Sequence, residues 1–256
     1  MQALVLDFDG VLADSAPECF EVALRTYADL VPGARLRERE QGALFRGFLE
    51  LMPLGNRAED FGVALAALDQ GAWLPDQAAY DSYVRARPAE WLGEFHRRFY
   101  QHRGAFAAAD PAGWRALNAP YGGFLALLER HAGRVRLALA TAKDRASVRA
   151  LLTDWGAAHL CPEELVLDKE VGESKVAHLE HARDRLGLPF AEITFVDDKV
   201  NHLDAVSPLG VRCGLAAWGY NGPREHALAR ARGYLICALE DAEALLFGPD
   251  SGPDRA

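Results

Sequence analysis

The chain has 256 residues, 50% of them hydrophobic and 25% charged, which is enough apolar content for one large core or two modest ones. A formal net charge of −9 excludes nucleic-acid backbone binding as a main activity, because that needs a basic footprint. The cysteines Cys19, Cys161, Cys213 and Cys237 form no Cys-x-x-Cys pair, so neither a zinc site nor a disulfide framework is predicted.

The run Leu4-Val5-Leu6-Asp7-Phe8-Asp9-Gly10-Val11-Leu12 is apolar and broken by acid and glycine, the pattern of a short strand buried on both faces that stops at a polar edge. Side chains alternate along a strand, so Asp7 and Asp9 are expected to leave on one side. Two carboxylates forced together repel, and such a pair needs a cation or a shared proton. The plainer reading is a solvated strand end. Met1 leads straight into this strand, leaving no room for a signal peptide, and no apolar stretch reaches membrane-spanning length. A cytoplasmic protein with no membrane partner is expected.

Asp14 or Ser15 can cap a helix with Pro17 in its first turn and Phe20, Leu24, Tyr27 and Val31 at helical spacing; Pro32-Gly33 ends it. Further helical patterns hold Leu44, Phe48 and Leu51; Phe61, Leu65 and Leu68; Trp91, Phe95 and Phe99; and, after Asp110-Pro111, Trp114 and Leu117. No strand-like alternation interrupts residues 15–117, which predicts an all-helical insert whose aromatic stripes pack helix on helix.

From Tyr121 strands alternate with helices, the pattern of a parallel sheet with right-handed crossovers. Strands are predicted at Val135–Ala140, Leu165–Leu167, Ile193–Val196, Val211–Ala216 and Tyr234–Cys237. Helices are predicted at Gly123–His131, Ser147–Trp155, Ser174–Leu186, Val200–Val206, Arg224–Ala231 and near Glu240–Phe247. The turn-rich tail, 248–256, is expected to fray.

Ligands of an open parallel α/β sheet bind beyond the carboxyl ends of its strands. Those ends carry Asp7 and Asp9, Thr141, and Asp197 with Asp198, while the helix start before the last pair offers Lys175. Clustered carboxylates suit Mg²⁺, and a hydroxyl and a lysine beside it suit a phosphoryl group, whose transfer depends on positioning and charge neutralisation.

Taken in this order, Asp7-Phe8-Asp9-Gly10-Val11, Leu139-Ala140-Thr141, Lys175 and Phe195-Val196-Asp197-Asp198 resemble the four motifs of the haloacid dehalogenase superfamily. The helical insert and Trp218-Gly219-Tyr220 resemble its phosphoglycolate-phosphatase-like and β-phosphoglucomutase-like branch. The resemblance implies an α/β fold, a Rossmann-like parallel-sheet core over 1–14 and 118–256 with a helical cap over 15–117. It further implies a Mg²⁺-dependent phosphatase for a small phosphorylated metabolite. Asp7 is implied as nucleophile and Asp9 as general acid and then base. The ion is implied to be held by Asp7, the Asp9 carbonyl and Asp198, with Asp197 in or close behind that set; the plainer reading is that one of the last pair merely caps the helix at Val200. Thr141, Ala142 and Lys175 are the implied phosphoryl contacts.

Val176 stands where many relatives place proline, and Lys169 lies in the same loop, so Lys169 is the alternative motif lysine. His202 occupies the place of a further acid in some relatives and is read as a helix-surface histidine. Arg46, Arg57 and the aromatics near Phe48 are the candidate substrate contacts of the cap. The same motifs also serve sugar-phosphate mutases. A non-catalytic binding protein is disfavoured because no motif acid is lost, and Asp9 argues against dehalogenation, whose branch lacks an acid at that position. No residue pattern bears on oligomeric state.

Overall fold

The computed structural model describes residues 1–55, 57–172 and 174–248, and the tail expected to fray lies outside the described residues from 249 onward. The chain divides into two compact units, one made of Met1–Asp14 and everything from Pro120, the other of Ser15–Ala119. The two short strands β2 (Ala13–Asp14) and β3 (Ala119–Pro120) mark where the chain leaves the first unit and returns to it.

The first unit is built on six parallel strands: β1 (Ala3–Leu6), β4 (Arg136–Ala140), β5 (Val166–Leu167), β6 (Ile193–Asp197), β7 (Arg212–Ala216) and β8 (Leu235–Cys237). Their order across the sheet is β5-β4-β1-β6-β7-β8. Leu6 of β1 aligns with Leu139 of β4 on one side and Val196 of β6 on the other, so β1 is central and the order reverses there. That reversal is the position at which parallel α/β sheets form their ligand crevice. Helices α7 (Gly122–Arg130), α8 (Arg145–Asp154), α9 (Lys175–Leu186), α10 (Val200–Val206), α11 (Pro223–Ala231) and α12 (Ala242–Phe247) accompany the strands. Local chemistry fixes their starts: the Asp144 carboxylate accepts from the Ser147 amide at 2.9 Å and the Ser174 hydroxyl from the Ala177 amide at 3.2 Å.

The first strand is shorter than its apolar run suggests. It ends at Leu6, after which the Phe8 carbonyl accepts from the amides of Leu12 and Ala13, both at 2.9 Å, and folds the chain into a tight turn. Asp9 therefore lies on this turn, and strand alternation does not set its direction.

The second unit holds α1 (Ala16–Leu30), α2 (Gln41–Leu51), α3 (Ala58–Gln70), α4 (Gln77–Arg85), α5 (Ala89–Ala109) and α6 (Pro111–Ala116). Helix α4, absent from the expected helical patterns, places Tyr80, Tyr83 and Val84 at helical spacing and buries Tyr80. Phe20, Phe48, Phe61 and Phe99 form a chain of ring contacts at centroid separations of 5.3, 5.7 and 5.5 Å. Trp73, by contrast, is 83% exposed. Beside the rings, Arg103 grips Glu18 through two bonds of 2.7 Å, Nε to Oε1 and a terminal nitrogen to Oε2. No helix among the described residues is long and apolar enough to cross a membrane.

Candidate active site

The residue after β1 is Asp7, whose amide donates to the Val196 carbonyl at 3.0 Å and so extends the ladder to the edge of the sheet. Its Oδ1 accepts from the Phe8 amide at 2.7 Å and lies 2.9 Å from the Lys175 ammonium. Lys175 reaches this point from the first turn of α9, donates to the Ala140 carbonyl at 2.6 Å and contacts Asp197 Oδ2 at 3.2 Å. The end of β1, the end of β4, the end of β6 and the start of α9 thus meet at one buried ammonium. Lys175, with its ammonium 2.9 Å from Asp7 Oδ1, is the lysine that the fold brings to Asp7, while Lys169 is half-buried in the preceding loop.

Asp197 and Asp198 are both fully buried, yet their surroundings differ. Asp197 accepts from the Lys199 amide at 2.9 Å, and the His202 Nδ1 lies 3.1 and 3.0 Å from its two oxygens. The reading of His202 as a helix-surface histidine is therefore corrected: its side chain is 17% exposed and faces Asp197 from the first turn of α10. Asp198 Oδ2 accepts from the Tyr220 amide at 2.9 Å, whereas its Oδ1 is buried with no hydrogen-bond partner. A buried carboxylate oxygen left unsatisfied is costly unless something else meets it.

Two glycines make room for Asp198. Gly10 has φ +82°, and a Cβ there would stand 2.3 Å from Asp198 Oδ2. A Cβ on Gly219 would stand 2.3 Å from the Gly10 carbonyl oxygen and 2.4 Å from the Asp198 Cβ. The Trp218 indole donates to the Val11 carbonyl at 3.1 Å, so the segment 218–220 clamps both the turn after β1 and Asp198. Neither oxygen of Asp198 merely caps α10.

The electrostatics follow from this crowding. Burial pushes the Asp7 carboxyl up to about 7, against the pull of Lys175, with Asp197 and Asp9 adding to the rise. Burial, then Asp197 and Asp7, raise Asp198 well above the usual carboxylate range. Burial alone would raise Asp197 too, but the His202 ring, Lys175 and the Lys199 amide hold it below that range. Burial opposes the charge on Lys175, yet Asp197 and Asp7 raise it overall, so the ammonium stays ionised.

Asp7, Asp197 and His202 offer ligand atoms within 4.8 Å of one another, a spacing a metal ion could bridge. Lys175 already lies between the first two and supplies the positive charge at that point. The unsatisfied Asp198 Oδ1 is the stronger pointer to a cation, and an all-oxygen set around Asp7 and Asp198 suits a hard ion.

Thr141 is fully buried at the end of β4, and its hydroxyl accepts from the Lys143 amide at 3.1 Å. Ala142 between them is exposed. Asp9 meets the Lys143 ammonium at 3.0 Å, a contact that motif reading did not anticipate, although the lysine stands only two residues beyond Thr141. Of the expected cap contacts, Arg57 is exposed and the Arg46 side chain is 71% exposed and lies 3.7 Å from Glu40, while Phe48, around which aromatic contacts were expected, is itself fully buried in its own unit's aromatic core. All four cysteines are buried free thiols.

Among known proteins, a plasmid-encoded phosphoglycolate phosphatase of Cupriavidus necator is 28% identical over 249 residues, covering 95% of this chain and 92% of the relative. A crystal structure from Lactobacillus delbrueckii subsp. bulgaricus, provisionally named a phosphoglycolate phosphatase, superposes with a TM-score of 0.72 at 13% identity, over 97% of this chain and 99% of that one. A haloacid dehalogenase-like family protein of Streptococcus pneumoniae does so with a TM-score of 0.64 at 13% identity, over 96% and 98% of the two chains. The family model for haloacid dehalogenase-like hydrolases matches residues 1–210, the greater part of the chain and every strand end described above except that of β7 and β8. The protein belongs to the haloacid dehalogenase-like hydrolases.

Proposed function

We propose that this hydrolase is a Mg²⁺-dependent phosphomonoesterase that acts on a small phosphorylated metabolite through an aspartyl-phosphate on Asp7. The observation that carries the reading is the crowding of buried carboxylates: Asp7 and Asp197 share the Lys175 ammonium, and the neighbouring Asp198 has its Oδ1 buried with no hydrogen-bond partner. Asp7, Asp198 and the Asp9 backbone carbonyl would hold the ion, with Asp197 behind them. When bound, a divalent cation supplies charge neutralisation to the transferring phosphoryl group.

The chain's own residues do the rest. Both contacts of the Asp7 carboxylate fall on Oδ1, which orients the group and leaves Oδ2 for attack. Oδ2 forms a bond to phosphorus as the bond to the leaving oxygen breaks, and Asp9 gives that oxygen its proton. Asp9, now ionised, takes a proton from the water that attacks the same phosphorus. The bond from phosphorus to Asp7 breaks, inorganic phosphate leaves, and both acids return to their starting states. Thr141, Ala142 and Lys175 are the proposed phosphoryl contacts.

The test is release of inorganic phosphate from a panel of phosphomonoesters, with and without Mg²⁺. The name of the Cupriavidus necator relative makes 2-phosphoglycolate its first member. Mg²⁺-dependent release that Asp7→Asn abolishes is expected. Interconversion of sugar phosphates without free phosphate would instead mark a mutase. Chloride release from a 2-haloacid that survives Asp9→Ala would mark a dehalogenase.

A further inference from the structure

We infer that Lys143 is a positioning residue that fixes the Asp9 carboxyl for proton delivery to the leaving group. The inference rests on the phosphomonoesterase reading and adds to it a residue outside the four motifs. Asp9 lies on the turn after β1, where backbone bonds fix the main chain: Gly10 N donates to the Ala13 carbonyl at 2.8 Å, and the Phe8 carbonyl accepts from Leu12 and Ala13. Those bonds do not orient its side chain. Asp9 is only partly buried, with 29% of its side chain exposed, so packing alone does not select a rotamer either.

Lys143 supplies that constraint. Its side chain is fully buried and its ammonium stands 3.0 Å from Asp9 Oδ1, across 134 residues of sequence. A buried ammonium needs an ionic or hydrogen-bonding partner, which makes this contact a defined one, unlike a surface ion pair. The backbone of Lys143 is equally well anchored. Its amide donates to the Thr141 hydroxyl, and the next residue, Asp144, caps α8. The three residues that follow β4 therefore orient two different groups, the Thr141 hydroxyl through a main-chain amide and the Asp9 carboxyl through a side-chain ammonium. A misplacement of about 1 Å in a reacting group can cost on the order of 10²-fold in rate.

The experiment compares leaving groups. An alkoxide needs its proton as it departs, whereas 4-nitrophenolate leaves without one, and kcat/KM reports events only up to that departure. For Lys143→Met, kcat/KM for the alkyl phosphomonoester that the wild type hydrolyses fastest should fall on the order of 10²-fold, and that for 4-nitrophenyl phosphate several times less. Asp9→Asn should bias the alkyl-to-aryl ratio the same way, with the double variant no more biased than Asp9→Asn, since the two act as one unit. Lys143→Arg should recover part of the ratio. If Lys143→Met fails to fold, Lys143→Gln and Lys143→Arg are read by the same ratio. Equal losses on both substrates, or none, would overturn the positioning role while leaving the phosphomonoesterase reading intact. A wild type that hydrolyses neither substrate would bring down that reading and the inference with it.

Discussion

Each unit of the molecule buries a cluster of charge, and the two clusters are built on opposite principles. In the helical unit Glu18 faces Arg103 through two bonds of 2.7 Å, with the Trp114 indole at 3.4 Å from Glu18 Oε1 and the guanidinium 4.6 Å from the centre of the Phe99 ring. The pair is bidentate, and each oxygen of Glu18 has a donor. In the α/β unit Lys175 answers two carboxylates at once and the third, Asp198, keeps an oxygen with no hydrogen-bond partner. A buried carboxylate oxygen without a hydrogen-bond partner is what a cation would complete, whereas a bidentate pair is finished as it stands. On the proposed reading one cluster serves stability and the other chemistry, and each variant below pushes on that distinction.

The largest effect belongs to the chemical cluster. Asp7→Asn keeps the shape of the side chain but removes the attacking charge, and kcat should fall on the order of 10⁴-fold or more, measured as phosphate release in Mg²⁺. Lys175→Ala should cost about 10³-fold, since the ammonium both orients Asp7 and offsets its charge. Lys169→Ala, in the loop before α9, should leave kcat within about twofold. The reverse pattern for the two lysines would reassign the motif.

Glu18→Gln tests the other cluster. It leaves a buried guanidinium without its counter-charge, so the urea midpoint should fall by an amount equivalent to about 3 kcal/mol with an unchanged m-value. A loss near zero would show that the pair is not the closed structural element that its geometry describes.

The sequence announced these two clusters unequally. Strand ends are legible because an apolar run stopped by a polar residue needs only local information, and Asp7, Thr141 and the Asp197-Asp198 pair lie at or beside such ends, while Lys175 opens the helix α9. The alternation of strands and helices after Tyr121 was equally plain, since buried parallel strands carry continuous apolar runs. What escaped depends on partners remote in sequence. Lys143 lies in a polar stretch whose Asp9 partner is 134 residues away, and Glu18 is 85 residues from Arg103. His202 was misread for the same reason: on α10 it looks like any polar helix residue until the turn between β6 and α10 presents Asp197 to it. Helix α4 was legible too, since Tyr80, Tyr83 and Val84 stand at i, i+3 and i+4, but its short apolar stripe was passed over.

Smaller effects distinguish the two oxygen-rich neighbours within the chemical cluster. If a cation completes Asp198, Mg²⁺ should raise the thermal midpoint of the wild type, and a concentration one hundred times its dissociation constant adds about 2.7 kcal/mol. Asp198→Asn should abolish that rise. Asp197→Asn should lose stability in the absence of any ion, because its carboxylate already serves Lys175, His202 and the Lys199 amide. An Mg²⁺ response that survives Asp198→Asn and vanishes with His202→Ala would move the ion to the Asp7, Asp197 and His202 group instead.

The smallest effect is a pH dependence with a definite sign. Burial, with Asp197 and Asp9, takes the Asp7 carboxyl from about 3.8 to about 7 despite Lys175. A carboxyl whose folded value is raised favours the fold while it is protonated, so its contribution is full below pH 4 and is lost as the pH climbs through 7. Metal-free wild type should therefore lose stability between about pH 4 and 7 on account of this group. Asp7→Asn cannot ionise and escapes that loss, so its thermal midpoint should rise above that of metal-free wild type by a widening margin across this window and a constant one beyond it. Lys175 keeps Asp197 as its counter-charge in the variant, which is why removing one acid from an overfull cluster stabilises the fold even as it destroys the chemistry. Glu18→Gln, which strips the carboxylate that Arg103 grips through two bonds, should show no such gain at any pH.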